Sequence, residues 1–526
     1  MSFDFQINNQ VEWALDKELL HKAEIHKPVL NKKQIHPNRI VELVTDKNAA
    51  YGFNVLPSPI GIEQLSQQLI GKDESIILDL GNHYVGTFSV SINSVGSPMD
   101  APLYLRLKFA EIPAELGFDS QDYKGWLSKS WIQEEYIHID VLPKKLELPR
   151  RYSCRFIEIE VLDTSPKWKA SFENPIFISE SAVDMKTAAS SKITDPELSK
   201  IYDVSLKTLA DCMQDVFEDG PKRDRRLWLG DLRLQASANY KTFQSNDLVK
   251  RCLYLFGGMT TKEGKIPANV FTAPALIPDD TFLFDYSLFF VSILEEYFHV
   301  TNDIAVLKDL YPVSKKQIDL ALALVDSEGR LNLQDDWPVF IDWSDDFDKR
   351  TAAQGVLIYC LKSFCLLAKE MRDLDYTKYV QQLEKLESFA KQKLFNEEKQ
   401  QFIIEGTDEI NCASQVWMIL AGVFSPEINK QIAKKMILKQ FPVKGFGTPY
   451  MYHHLVEALF IAGSNQEAIT LMKTYWGKMI ELGADTFWEA FKPETPDFSP
   501  YGSPIISSFC HAWSCTPVTL INTYLK

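Results

Sequence analysis

Hydrophobic and polar positions alternate every second residue through the first third of the chain, then every three to four. Ser75-Ile-Ile-Leu-Asp-Leu80, Thr87-Phe-Ser-Val-Ser-Ile92 and Pro102-Leu-Tyr-Leu-Arg-Leu-Lys-Phe109 carry the two-residue period of half-buried strands. Tyr136–Val141 and Arg155–Val161 repeat it. Clusters of Asn, Gly and Pro separate these runs. The pattern predicts an antiparallel β-sandwich over residues 1–180. The first fifty residues have no clean period and predict irregular strands in a loop-rich entry. Such a domain reads first as a structural brace, with sugar binding as the other role open to it.

Ala188-Ala-Ser-Ser-Lys-Ile-Thr-Asp-Pro196 is small and polar and marks a seam. Thr194 or Asp195 stands where a cap for a helix opening at Pro196 belongs. From there the period becomes 3.6 and predicts twelve helices. They lie near 196–216, 231–244, 246–258, 282–299, 302–325, 352–371, 374–395, 409–422, 426–439, 449–463, 465–480 and 506–524. Alternating short and long loops suit an all-α (α/α)6 barrel over residues 181–526. Phe284–Val291 and Trp417–Val423 are apolar enough for its inner ring. The whole reads as a multidomain chain, sandwich first and barrel second.

A length of 526 residues fits two or three domains. A net charge of −15 argues against nucleic acid or an anionic membrane as partner. Eleven tryptophans are compatible with sugar-binding faces and equally with a large core. The eight cysteines include no C-x-x-C pair, so a zinc site is not expected; no other metal and no cofactor is expected either. The N-terminus does not read as a signal peptide and no run of about 18 apolar residues is present, so a cytoplasmic protein is expected.

The chemistry concentrates in Asp219-Gly-Pro-Lys-Arg-Asp-Arg-Arg-Leu-Trp-Leu-Gly-Asp231, between two helix-patterned segments. Gly220-Pro221 ends the preceding helix, and Gly230 breaks the chain before Asp231, a candidate cap for the next. A charged loop is ordinarily a solvated salt-bridge cluster. Leu227 and Trp228 argue for a cleft instead, and carboxylates at Asp219, Asp224 and Asp231 around Arg223 are what sugar cleavage needs. Two further loops pair acids with aromatics: Ile277–Tyr286, leading to Asp285, and Asp335–Asp345, which holds Trp337, Asp342 and Trp343. Both are expected on one rim of the barrel with the 219–231 loop. Weaker signals read as structure. His453-His454 with Glu457 packs along a helix, Lys430–Lys439 is a solvated face, and Cys510 and Cys515 lack the positioned acid a thiol nucleophile needs.

The pattern D-G-x-K-R-[D/E]-R-x-x-W-x-G-D resembles the catalytic loop of the α-L-rhamnosidases of glycoside hydrolase family 78. Gly483-Ala-Asp-Thr-Phe-Trp-Glu489 resembles the family's G-A-x-T-x-W-E segment, and Ser508-Phe-Cys-His-Ala-Trp-Ser-Cys-Thr-Pro517 its S-x-C-H-x-W-S-x-x-P segment. The resemblance implies a jelly-roll-like sandwich before a six-hairpin barrel. It places Asp224 at the general-acid position, where relatives often carry Glu, and Glu489 at the general-base position. It places Asp219 and Asp231 on sugar hydroxyls and Trp228 beside the sugar. Arg223 is the expected positioning partner and His511 a subsite contact. Asp285, Asp342, Trp343, Trp488 and Trp513 complete the expected lining.

The family inverts configuration. The resemblance therefore implies Asp224 and Glu489 carboxyls about 6.5–9.5 Å apart, leaving room for water. A general acid needs a raised pKa, which Arg223 and Arg225 oppose unless they point elsewhere. Relatives continue into a C-terminal β-domain, and a chain ending at Lys526 is expected to be a minimal version. A carbohydrate is the expected partner, with the oligomeric state open. Two other functions compete: a non-catalytic sugar-binding protein, and an (α/α)6 glycosidase of different sugar specificity.

Overall fold

A computed structural model describes residues 10–189, 193–437, 443 and 445–525. Part of the expected seam, 190–192, and the end of the helix expected near 426–439 lie outside them. Near the N-terminus, β1 (Trp13–Leu15) and α1 (Lys17–Ile25) belong to the helical part. β1 pairs with Met259–Thr261, and Arg251 Nη1 donates to the Ala23 carbonyl at 2.7 Å. Asp16 caps α1 through the amides of Glu18 and Leu19. The expectation of irregular strands here is thus corrected. A nine-residue helix has little intrinsic stability, and this one is held by tertiary packing.

Nine strands form one antiparallel network: β2 (Asn31–Ile35), β3 (Arg39–Thr45), β4 (Phe53–Pro57), β5 (Glu74–Gly96), β6 (Leu103–Ala110), β7 (Glu134–Ile139), β8 (Lys144–Glu147), β9 (Tyr152–Asp163) and β10 (Trp168–Ser181). The runs at 75–80 and 87–92 are two halves of β5. Its first half pairs with β3 and β9, its second with β8 and β10, and its register on β9 shifts between Asp79 and Tyr84. Alternation sends Ile76, Leu78, Phe88, Val90 and Ile92 into one core with residues of β6, β9 and β10. Each such side chain contributes roughly 1.5–3 kcal/mol. Ile77 on the opposite face packs with Val41, Phe156 and Leu116, the last from the one-turn helix α2 (Ala114–Gly117).

The helical part contains α3 (Pro196–Cys212), α4 (Leu229–Lys241), α5 (Asn246–Gly257), α6 (Phe284–Thr301), α7 (Ile304–Leu322), α8 (Arg350–Glu370), α9 (Tyr376–Phe389), α10 (Cys412–Leu420), α11 (Pro426–Ile437), α12 (Pro449–Ile461), α13 (Asn465–Glu481) and α14 (Pro517–Tyr524). The even-numbered helices from α4 to α14 touch in sequence, and α14 closes on α4. The odd-numbered helices from α3 to α13 pack outside them. Asp195 caps α3. α8 is apolar and long enough to cross a bilayer, yet it is mostly buried as a member of the inner ring. His453 and His454 lie in α12, where His454 meets Arg233 Nη1 at 2.8 Å.

The helix expected over 506–524 is corrected to α14 alone. Pro517 opens it at its first position, where a missing N–H costs nothing. The preceding segment instead bonds across the chain: the Glu489 amide to the Ser508 carbonyl at 3.1 Å, the His511 amide to the Phe487 carbonyl at 2.9 Å, and the Ala512 amide to the Asp219 carbonyl at 2.7 Å. These bonds bring three distant segments together.

Candidate active site

The 219–231 loop closes on itself. The Asp219 amide donates to the Arg226 carbonyl at 2.9 Å, and the Arg226 amide returns a bond to Asp219 Oδ1 at 3.0 Å. Gly220 is required by a close approach, since a Cβ there would stand 2.8 Å from Ser508 Oγ. Asp224 and Arg225 both take left-handed backbone, at φ of 65° and 55°. Asp tolerates this conformation; a long side chain such as Arg adopts it only when neighbours enforce it, at about 1–3 kcal/mol. Arg225 is so enforced, with Nη2 donating to the Arg151 carbonyl at 2.9 Å and Nε to the Lys222 carbonyl at 3.3 Å. It therefore points to the β-domain, away from Asp224, as the acid role requires; Arg223 does not, its Nη1 standing 3.2 Å from Asp224 Oδ1, against that expectation. Lys222 is pinned to Glu115 Oε2 at 2.7 Å and to the Ser507 carbonyl at 2.8 Å. α4 begins at Leu229 with Trp228 as its cap residue, so Asp231 lies inside the first turn and is not the cap.

Arg223 organises the acids. Its Nη1 lies 3.2 Å from Asp224 Oδ1, its Nη2 donates to Glu489 Oε2, and its Nε donates to the Ile506 carbonyl at 3.2 Å. The guanidinium also lies over the Tyr501 ring, 4.2 Å from its centre. Tyr501 donates its hydroxyl to Glu489 Oε1, and Trp513 Nε1 donates to the Glu489 carbonyl at 2.9 Å. Both carboxylate oxygens of Glu489 are therefore held from the protein side. Burial raises Asp219 well above the ordinary carboxylate range, helped by the charges of Asp224 and Asp231. Burial likewise raises Asp231, with Glu489 adding to it. Burial and Arg223 push His511 well below its ordinary range. The 3.5 Å approach of His511 Nδ1 to Asp231 is thus not an ion pair. Asp231 Oδ1, His511 Nδ1 and Trp228 Nε1 are buried without a hydrogen-bond partner among the described residues.

These groups line one cavity of about 290 Å³, at the small end of ligand pockets, which run from ~300 to 1,000 Å³. Asp219, Arg223, Asp224, Trp228, Asp231, Trp343, Glu489, His511 and Trp513 all face it. Three expected lining residues do not. Asp285 accepts from the amides of Phe340 and Ile341, both at 3.0 Å, and holds that loop. Asp342 accepts from the Thr448 hydroxyl, and from the Gly447 amide at 3.0 Å. Trp488 is buried against Phe491 and Phe509. An acid beside aromatics looks the same in sequence whether it satisfies loop amides or a sugar.

Sequence reasoning missed Tyr286, Phe340 and Tyr501, and also Trp126, Leu127, Ser128 and Trp131 from the β-domain. Tyr501 carried one signal, its place between two recognisable motifs. The β-domain residues carried none. Cys510 faces away from the cavity, with its sulfur 3.8 Å from that of Cys212. It gathers there with His83 and Asp211, the donor types of a metal site. His83 Nδ1, however, lies 2.6 Å from Asp211 Oδ2. Two ligands of one tetrahedral zinc stand about 3.4 Å apart, so this contact is a direct hydrogen bond.

Comparison with known proteins identifies the family. The model of the glycosyl hydrolase family 78 α-rhamnosidase N-terminal domain matches residues 37–179, and that of the bacterial α-L-rhamnosidase six-hairpin glycosidase domain matches residues 186–525. The rhamnosidase from Klebsiella oxytoca, solved with rhamnose bound, is 42% identical with a TM-score of 0.95, over 98% of this chain and 100% of that one. The family 78 rhamnosidase of Bacillus sp. GL1 is 21% identical with a TM-score of 0.71, over 85% of this chain and 46% of that one. The Streptomyces avermitilis α-L-rhamnosidase complexed with L-rhamnose is 16% identical with a TM-score of 0.65, over 94% and 44%. These last two share the fold. No curated protein sequence matches. With both domains matched in order and a relative aligned over nearly its whole length, the chain belongs to the α-L-rhamnosidases of glycoside hydrolase family 78.

Proposed function

We propose that the chain hydrolyses terminal α-L-rhamnosyl residues of glycosides with inversion, Asp224 acting as general acid and Glu489 as general base. The observation that carries this is Arg223, which meets Asp224 with one terminal nitrogen and Glu489 with the other across a single cavity. The inverting route needs a water between base and anomeric carbon and carboxyls about 6.5–9.5 Å apart. Asp224 is 20% exposed at its side chain against 5% for Glu489, so it stands nearer the mouth, where a leaving group belongs. Its proton passes to the glycosidic oxygen as the C–O bond breaks. Water attacks the anomeric carbon from the opposite face and loses its proton to Glu489.

The cavity supports a single terminal sugar. Asp219 and Asp231, raised by burial, are suited to both donate and accept with sugar hydroxyls. Trp228, Trp343 and Trp513 offer ring faces to the apolar side of the sugar. Rhamnose is the sugar bound to the Klebsiella relative. The test is hydrolysis of a panel of phenyl glycosides by wild type, Asp224→Asn and Glu489→Gln. We expect the α-L-rhamnoside to be cleaved in preference to other sugars, and each variant to lose about 10²–10⁴-fold in kcat. Equal rates in all three proteins, or preference for another sugar, would refute the assignment.

A further inference from the structure

We propose that Glu115 of the β-domain is a positioning residue for the general acid, acting through Lys222 to hold the loop that presents Asp224. The proposal rests on the acid role given to Asp224 above. That role asks for more than a carboxyl in a cavity, because the proton has to be delivered to the oxygen of the breaking C–O bond. The backbone that carries Asp224 is not relaxed. Asp224 and Arg225 are consecutive left-handed residues, at φ of 65° and 55°. A pair without glycine persists there only where its surroundings impose it. Asp224 has to keep its carboxyl available to substrate, so the hold has to come from its neighbours.

The β-domain grips the loop on both sides of Asp224. Upstream, Lys222 is 1% exposed and donates to Glu115 Oε2 at 2.7 Å. Downstream, Arg225 Nη2 donates at 2.9 Å to the carbonyl of Arg151, the residue before β9. Glu115 is itself fixed by the Glu111 amide, which donates to its Oε1 at 3.1 Å. The same stretch of the β-domain reaches the base. Three successive carbonyls, of Ile506, Ser507 and Ser508, accept from Arg223 Nε at 3.2 Å, Lys222 Nζ at 2.8 Å and the Glu489 amide at 3.1 Å. The next amide, of Phe509, donates to Glu111 Oε2 at 2.6 Å. Acid loop and base therefore share one template. Glu111 fastens that template to the sandwich, and Glu115 fastens the loop. A buried ammonium with its own counter-charge is a costly way to join two domains, and the Arg155–Asp485 pair already joins them away from this loop. Two residues before Asp224, the Lys222 ammonium instead fixes where the acid begins.

The experiment measures kcat and KM for phenyl α-L-rhamnoside, whose leaving group needs a proton, and 2,4-dinitrophenyl α-L-rhamnoside, whose leaving group departs without one. The proteins are full-length wild type, Asp224→Asn and the double variant Glu115→Gln with Lys222→Met, which removes both charges together and strands neither. We expect the double variant to lose about 30-fold in kcat on the phenyl substrate, part of the ~10²–10⁴ that a placed acid supplies, but less than about threefold on the dinitrophenyl one, with KM moving less than about twofold on both. A purely structural role would lower both substrates alike. Equal loss on both, no loss on either, or a loss through KM would overturn the positioning role; the acid role then stands if the loss in Asp224→Asn is confined to the phenyl substrate. Asp224→Asn losing equally on both would overturn the acid role and the proposal with it. Should the double variant fail to fold, Glu115→Asp decides, because it keeps a counter-charge for Lys222 and shortens the tether by one methylene. A loss of about fivefold confined to the phenyl substrate would support the role, and any other pattern would overturn it.

Discussion

Glu489 owes its state to two side chains that no motif announces together: Arg223, inside the charged loop, and Tyr501, twelve residues downstream of Glu489. A base that must accept a proton in the transition state needs its oxygens aimed. Tyr501 aims them, because it donates to one oxygen and lies under the guanidinium that donates to the other. Tyr501→Phe keeps the ring and removes only the hydroxyl. Loss of a hydrogen bond to a charged group is worth about 1.5–3 kcal/mol, so kcat should fall roughly 10- to 100-fold. A kcat unchanged from wild type would contradict the positioning role. At this scale the three motifs were legible because their residue types are chemically constrained. Asp285 and Asp342 misled because a carboxylate that satisfies buried loop amides is spelled like one that binds substrate.

β5 and α3 meet at His83. Its Nδ1 bonds Asp211 Oδ2 at 2.6 Å, and its Nε2 lies 3.0 Å from Ser153 Oγ and 3.3 Å from Glu111 Oε1. Burial alone would neutralise this histidine, but Cys510, Asp211 and Glu111 outweigh it and push its pKa up to about 10. A histidine raised from 6.5 in the unfolded chain contributes stability that is complete below pH 6.5 and is lost as pH rises towards about 10. The melting temperature of the wild type should fall across that window, and His83→Gln, which cannot titrate, should flatten the fall. Parallel profiles would show that His83 does not join the two elements in this way. The elements themselves were well marked. β6, β9 and twelve helices follow the periods of their residues, because one buried face imposes a spacing. α1 was hidden because its stability comes from α5, and the stretch before α14 was misread because a buried loop is as apolar as a helix.

Charges also join the two domains. Arg155 pairs with Asp485 at 2.6 Å, Arg151 grips both oxygens of Glu218 at 3.0 and 2.7 Å, and the Phe509 amide donates to Glu111 at 2.6 Å. Lys222, 1% exposed, has its counter-charge in Glu115 of α2. Parting the domains would strip buried charges of their partners, which costs far more than a surface pair is worth. Calorimetry of the full chain should therefore show one unfolding transition. Two separated transitions would mean that the sandwich is an appendage, and the β-domain walls of the cavity would lose their fixed frame. None of this was visible in sequence. The period of a strand says which side chains turn inward, but not which neighbouring domain the outward ones meet.

The proposed chemistry stands or falls on Asp224 and Glu489 facing each other across one terminal sugar, with water on the far side. Proton NMR of phenyl α-L-rhamnoside during hydrolysis reads this out through the anomer that appears before mutarotation. Inversion delivers β-L-rhamnose first with wild type, and no burst of either anomer with Glu489→Gln. α-L-rhamnose appearing first would contradict it, because that outcome requires a covalent intermediate and carboxyls only ~5 Å apart.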